Sequence, residues 1–395
     1  MNPTVNVSFD DTATAFAAKS DAELAKMYML FAAMNNNKLV KYGTALTQKA
    51  FSWHLPVKFM IKPTIFNHFC GGETIEECQQ AIDTLGRYNV GTILDYSVEG
   101  EGKEQSFDAT ASEIIATIER AAASDYIPFS VFKVTGLGNP ALLEKVQNRQ
   151  ELNADERAAF ERLRARVNQI CERAEERNVR IFIDAEESWF QDTIDNLAYE
   201  MMEKYNRKKA IVYNTYQLYR HDRLDVLKQD YQDAVRGNYF LGAKLVRGAY
   251  MEKERRVADQ KGYPSPINPD KPASDNLFDE ALRYCVKHID WISFCAGTHN
   301  EKSTFLLMEL MEEAGIAPGD ERIYFAQLYG MSDNISFNLA KAGYNVAKYV
   351  PYGPVESVMP YLFRRAQENT AIAGQSSREF NLIKKEMDRR KKIKK

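Results

Sequence analysis

The stretch VRIFIDAEE, residues 179–187, carries the reading of the fold. It is short, rich in Ile and Phe, and lacks the 3.6-residue periodicity of an amphipathic helix, so it reads as a strand buried on both faces. It then turns acidic, with Asp184, Glu186 and Glu187 among its last four residues. Charge inside a strand is costly unless paired. Acids at the end of such a run mark either a structural ion pair or a functional site.

Working outward, the same pattern recurs. Runs of this kind begin TILDYSV at Thr92, PFSVFKVTGLG at Pro128, AIVYNTYQ at Ala210 and YFLGAKLVRGAY at Tyr239. Three more follow: WISFCAGTHN at Trp291, RIYFAQLYG at Arg322 and NVAKYVPYG at Asn345. Each precedes a longer amphipathic segment. Eight β–α units in about 280 residues are what a (βα)8 TIM-like barrel requires. A doubly wound sheet is the competing architecture, but it would usually carry a GxGxxG or GxxxxGK[ST] loop. Only GLG at Gly136–Gly138 approaches one.

Around this array the chain divides into a helical segment, 1–90, a barrel, 91–375, and a basic tail, 376–395. Ser20 with Glu23 three residues later forms a capping box ahead of an apolar helix, and a second helix is expected from about Thr74. A charged helical insert is expected from about Asn139 to Gln169. KGYPSPINPDKPASDN, 261–276, reads as a loop over the barrel mouth. The tail, KKEMDRRKKIKK, reads first as a frayed, solvated helix end and second as a contact for an anionic membrane.

A chain of 395 residues, 45% hydrophobic, can bury a large core. Its net charge of −3 offers no basic field for nucleic acid, which is not expected as a partner. Five cysteines without a CxxC pair favour a reducing compartment over a disulfide framework or zinc site. The opening residues show neither signal nor transit peptide, and no apolar run is long enough to span a bilayer. A cytoplasmic protein is expected, with any membrane contact peripheral. The oligomeric state is left open.

Barrel sites sit at the C-terminal ends of the strands. Those ends carry Lys133; Asp184 and Ala185; Asn214; Lys244, Arg247 and Tyr250; Thr298, His299 and Asn300; Gln327; and Lys348 with Tyr349. Lys133 and Asp184 on adjacent strands form either a buried structural pair or part of a site. The single His of THN, without HxH or HExxH, gives no metal site. Past the last strand, PYLFRRAQEN, 360–369, places Tyr361, Arg364, Arg365 and Glu368 at i, i+3, i+4 and i+7, on one helical face. Two guanidiniums there suit a carboxylate or phosphate; the bland alternative is a salt-bridged surface neutralised by Glu368.

Taken together, VFKVTGLG, FIDAEES, VYNTYQ, GAKLVRGAYMEKER, GTHN, FAQLYGMSDNIS and KYVPYGPVESVMPYLFRRAQEN resemble, in order, segments of the proline dehydrogenase family. The resemblance runs from about Lys133 to Asn369. It implies a distorted barrel that binds FAD, oxidises L-proline to Δ1-pyrroline-5-carboxylate and passes electrons to a membrane quinone. Carried over, Arg364 and Arg365 would clamp the proline carboxylate, with Lys133 as a third cation oriented by Asp184. Lys244 would act close to the flavin. Tyr349 and Tyr361 would pack on the ring, and Leu245, Ala249, Tyr250 and Leu328 would complete the pocket. Ala185, Asn214, Lys244, Val246, Gly248, Thr298, His299 and Asn300 would line the flavin, and Glu368 would hold an arginine in place. Two positions depart from the family pattern: Lys244 stands where many members have Arg, and Asn214 where Gln is frequent. A branch acting on 4-hydroxyproline carries Ser at the Tyr349 position, so Tyr349 favours proline. The alternatives are that hydroxyproline activity, or another barrel enzyme using Lys133, Lys244 or Lys348 as a Schiff-base lysine.

Overall fold

A computed structural model describes residues 7–53, 58–98, 103–371 and 375–394. Eight parallel strands follow one another in the order of the sequence and close into a barrel. They are β1 (Gly91–Tyr96), β2 (Phe129–Lys133), β3 (Arg180–Asp184), β4 (Val212–Gln217), β5 (Leu241–Val246), β6 (Ile292–Gly297), β7 (Ile323–Leu328) and β8 (Val346–Tyr352). All eight apolar runs of the sequence are strands, and the (βα)8 reading holds. By internal contacts the chain divides into two compact units, 99–326 and 6–98 with 327–395.

In the unit 99–326, β2 to β6 pair in register. Their large side chains form an aromatic core. Phe129 stacks on Phe182 at 4.3 Å between centroids, Tyr213 and Tyr324 meet Phe129 edge-on, and Arg180 lies over Phe129 and Tyr324. Such pairs add to area burial by roughly 0.5–1.5 kcal/mol each. The charged insert after β2 is an extra helix, Pro140–Gln147, ahead of the long crossover helix Ala154–Glu176. The segment 261–276 is only partly a loop. Asp270 caps a helix that starts at Lys271 with Pro in its first turn, so the final third of that segment is helical.

The other unit holds β1, β8 and the helices of both chain ends. Here α1 (Asp21–Met34) starts at the expected capping box of Ser20 and Glu23. The helix expected from Thr74 begins later, as Gln79–Gly86. Helix α2 (Asn37–Ser52) follows α1. Beyond β8 come α3 (Val355–Ala371) and α4 (Gln375–Ile393).

The basic tail corrects the expectation of a frayed, solvated end. It is helix α4, packed on α1 through buried Leu382 and Ile383, which cluster with Phe16, Leu24 and Phe31. Arg390 donates to the carbonyls of Lys19 (2.8 Å) and Phe16 (2.9 Å), and to the carboxylates of Asp21 and Glu386. No described helix is long and apolar enough to cross a membrane.

Candidate active site

In the unit 99–326, the strand ends gather charge around Asp184. Parallel register sets Lys133, the last residue of β2, beside Asp184, the last residue of β3. From β5, Lys244 Nζ donates to Asp184 Oδ1. Lys244 is 5% exposed and lies 5.3 Å above the Phe182 ring. A buried ammonium of this kind needs its carboxylate. Sequence reasoning assigned Asp184 one cation to orient, Lys133; the structure places Lys244 on that carboxylate, with Lys133 its neighbour in register.

The next acid on β3's exit, Glu186, is almost fully buried and accepts from both the backbone N–H of Thr135 (3.0 Å) and its hydroxyl. Thr135 lies two residues past Lys133, so Glu186 ties the exit of β2 to that of β3. Burial pushes the Glu186 carboxyl up to about 7, against the Thr135 hydrogen bonds and the field of Lys133, which pull it down. Glu187 pairs with Lys253 Nζ. Sequence reasoning noted both glutamates but gave neither a role. A carboxylate two residues past Asp184, with a hydroxyl two residues past Lys133, was the available signal.

Asn214 and Gln217, on β4, answer differently. Asn214 is fully buried; its amide donates to Asp195 (2.9 Å) and its oxygen accepts from Thr215 N–H (2.9 Å). Gln217 donates to the Glu186 carbonyl (3.1 Å), while its buried Oε1 has no hydrogen-bond partner among the described residues. Past β5, Arg247 donates to Asp275 (2.6 Å), Thr298 Oγ1 (2.7 Å) and Ser303 (2.9 Å), which fixes the exit of β5 to that of β6. Gly248 follows with φ +129°; a Cβ there would come within 2.5 Å of the Tyr219 ring. Val246, Ala249 and Tyr250 flank this turn, and Leu245 is fully buried. Ala185 and His299 are half-buried, and Asn300 caps the helix after β6. Lys244, Arg247, Thr298, His299 and Asn300 form a donor-rich set at adjoining strand exits, in which Lys244 and Arg247 are each paired with a carboxylate.

In the other unit, α3 carries Tyr361, Arg364 and Arg365. Tyr361 packs in a cluster with Phe66, Val358, Leu362 and partly buried Leu328. The Arg365 guanidinium lies 5.1 Å from the Tyr361 ring centroid, and Arg365 is buried while Arg364 is half-buried. Glu368 falls within α3, but its side chain lies outside the described residues. Tyr349 on β8 is buried, and its carbonyl accepts from Tyr329 N–H at 2.8 Å.

This unit also holds an ionic cluster that sequence reasoning missed. Lys348, fully buried on β8, pairs with Asp333 at 2.9 Å and donates to the Met331 carbonyl. Burial alone would raise the Asp333 carboxyl, but Lys348 and Lys19 hold it below the usual range. Among the described residues no group of His, Cys, Asp and Glu is placed to hold a metal ion.

A family model described as proline dehydrogenase matches residues 78–378. Proline dehydrogenase 1, mitochondrial, of Dictyostelium discoideum is 33% identical across 96% of this chain and 74% of its own. The carbapenem antibiotics biosynthesis protein CarD of Pectobacterium carotovorum is 34% identical across 82% of this chain and 83% of its own. Among solved structures, proline utilization A (PutA) of Bdellovibrio bacteriovorus aligns with a TM-score of 0.72 at 19% identity. That alignment covers 93% of this chain and 39% of the PutA chain, and it shows likeness of fold.

Proposed function

The chain belongs to the proline dehydrogenase family of oxidoreductases, and on that premise we propose that it oxidises L-proline to Δ1-pyrroline-5-carboxylate, with FAD as its flavin and a membrane quinone as electron acceptor. The observation that supports this reading is the charged cluster at the strand ends, where Lys244 bonds to Asp184 and strand register sets Lys133 beside that residue. A cation such as Lys133 there stabilises a bound carboxylate and favours loss of the proton from a neighbouring amine.

Proline is a zwitterion at neutral pH. For a C=N bond to form, the ring nitrogen must lose its proton and the adjacent carbon a hydride. FAD, when bound, supplies the acceptor for that hydride. The protein's part is to hold and orient. Arg364 and Arg365 grip the carboxylate with Lys133, and Glu368 steadies an arginine. Tyr349, Tyr361, Leu245, Ala249, Tyr250 and Leu328 pack the ring. Lys244, Val246, Gly248, Thr298, His299, Asn300, Ala185 and Asn214 line the cofactor. The donor-rich set past β5 and β6 suits its pyrophosphate, and the orphaned Gln217 Oε1 leaves an acceptor for a donor on a ligand. With Asp184 committed to Lys244, the amine proton passes to solvent.

A Schiff-base lysine is disfavoured at two of its three candidates, since Lys244 and Lys348 are each bound to a carboxylate. Tyr349 favours proline over 4-hydroxyproline by crowding a ring hydroxyl. The five buried free thiols support a reducing compartment, read as the cytoplasm. The test is a visible spectrum before and after anaerobic proline. A yellow protein whose flavin band bleaches is expected. A colourless protein, or a flavin band that proline leaves intact, would sink the reading.

A further inference from the structure

Among the described residues, most of the large apolar side chains that are more than half exposed fall in one stretch; the exception is Ile393 at the end of α4. Met29 on α1, Leu39, Tyr42 and Leu46 on α2, Trp53 just past it and Phe59 are each between 57% and 72% exposed. On α2 they form a stripe: at about 100° per residue, Leu39, Tyr42, Leu46 and Trp53 fall within roughly one sixth of the helix circumference. Val40, Thr44 and Thr47, half-buried, occupy the other side. No described side chain of α2 is fully buried. Among its described residues, α2 carries Val40, Thr44 and Thr47 on the inward side and its larger apolar side chains on the outward side.

The charge of the same stretch selects what covers that face. Between Glu23 and Glu73 the sequence holds six lysines and no Asp or Glu, in a chain whose net charge is −3. Lys58 and Lys62 pair with Glu73, whereas Lys38 and Lys49 border the stripe and Lys41 lies further round the same side of α2. Lys49 lies 4.6 Å from the Trp53 ring centroid. An apolar stripe of Leu, Tyr and Trp bordered by lysines is how a helix lies in a bilayer interface, with rings at headgroup depth and ammonium groups among anionic lipids. A second copy of this chain would bring lysine against lysine, which charge disfavours.

We propose that the outward face of α2, continued by Met29 and Phe59, docks the protein on an anionic lipid surface. This displaces the C-terminal tail from that role. Arg378, Lys385, Arg389, Arg390 and Lys394 all bond to protein groups, chiefly carboxylates and carbonyls. Helix α2 also packs beside α3, the helix of Arg364 and Arg365. Where a quinone is the acceptor, which rests on the function proposed above, such docking sets the arginine helix next to the membrane that holds it.

The test uses the full-length flavoprotein and vesicles of phosphatidylglycerol with phosphatidylcholine. Co-sedimentation at low salt is expected, with Trp53 emission shifting to the blue. Tyr42→Ser with Leu46→Ser, and separately Lys38→Glu with Lys41→Glu, should each weaken vesicle affinity by about tenfold. Proline should bleach the flavin of these variants as in the parent, so vesicle binding and the proposed activity are read separately. Lys391→Ala with Lys392→Ala should leave binding unchanged. Four results would overturn the proposal: no vesicle binding by the parent; binding lost only in the tail variant; equal, salt-independent binding to pure phosphatidylcholine; or a dimer that Leu46→Ser dissociates.

Discussion

At the scale of single residues, charge at this protein's strand ends is organised by carboxylates. Asp184 holds Lys244, and Glu186 holds Thr135 beside Lys133. Glu186 is the one to probe by pH. Because burial raises its carboxyl to about 7, it gains charge as pH rises through neutrality, which puts a negative charge near Lys133. A proline carboxylate drawn to Lys133 should then bind less well, so the parent's KM should climb between about pH 6 and pH 8. Glu186→Gln keeps an oxygen for Thr135 and removes the titration. Its KM should be flat over that range, and a profile matching the parent's would discard the idea. The arginines are tested more directly. Arg365→Ala or Arg364→Ala should raise proline KM by roughly ten- to a hundredfold, the scale of a lost charge-assisted hydrogen bond, without loss of flavin. Steady-state kinetics and the ratio of flavin to protein absorbance decide it. Tyr349→Ser should raise 4-hydroxyproline turnover relative to proline; an unchanged ratio in competition assays would remove Tyr349 from the selectivity argument.

At the scale of elements, legibility followed locality. The capping box of α1 was visible because its two partners are three residues apart, and the strands because their apolar runs are short and uninterrupted. Helix α4 was not legible as a docked element. Arg378 and Arg390 meet acids and carbonyls more than 350 residues earlier, and a count of local charge cannot see them. The helix starting at Lys271 could have been found, since Asp270 followed by Lys-Pro is a cap with Pro in the first turn. Docking of α4 also buries an acid. Glu379 accepts from Ser332 N–H, and burial, aided by Asp333, pushes its carboxyl up to about 7. An acid raised in the folded state binds its proton more tightly there than when unfolded. Its contribution is therefore most favourable below the ordinary carboxylate range and is lost as pH rises toward 7. Glu379→Gln, which carries no charge to desolvate, should gain on the parent as pH rises. Thermal melts at about pH 5.5 and pH 8 should show the difference in Tm shifting toward the variant. A pH-independent difference would refute that account.

At the scale of the whole molecule, what the sequence could not supply was the partner of each buried polar group. Lys244 and Asp184 lie 60 residues apart, and Lys348 reaches Asp333 only because the chain turns back between β7 and β8. Strand spacing located the strand ends where charge gathers, but not which cation would meet which acid; that is settled by register and packing. The cysteines give the cleanest global test of how completely the core closes. All five, Cys70, Cys78, Cys171, Cys285 and Cys295, are buried thiols, and burial pushes every one of them above its ordinary range. The thiolate is the reactive form, so each is protected twice, by lack of access and by lack of ionisation. Two of them lie in the unit 6–98 with 327–395 and three in the other. A thiol-selective disulfide reagent at about pH 8 should therefore find almost no reactive thiol in the native protein and all five after denaturation in urea. If two thiols react at lower urea than the other three, the two units unfold separately. A single step for all five would mean that they open together, and a native protein reacting at once would mean that the cores are not closed in solution.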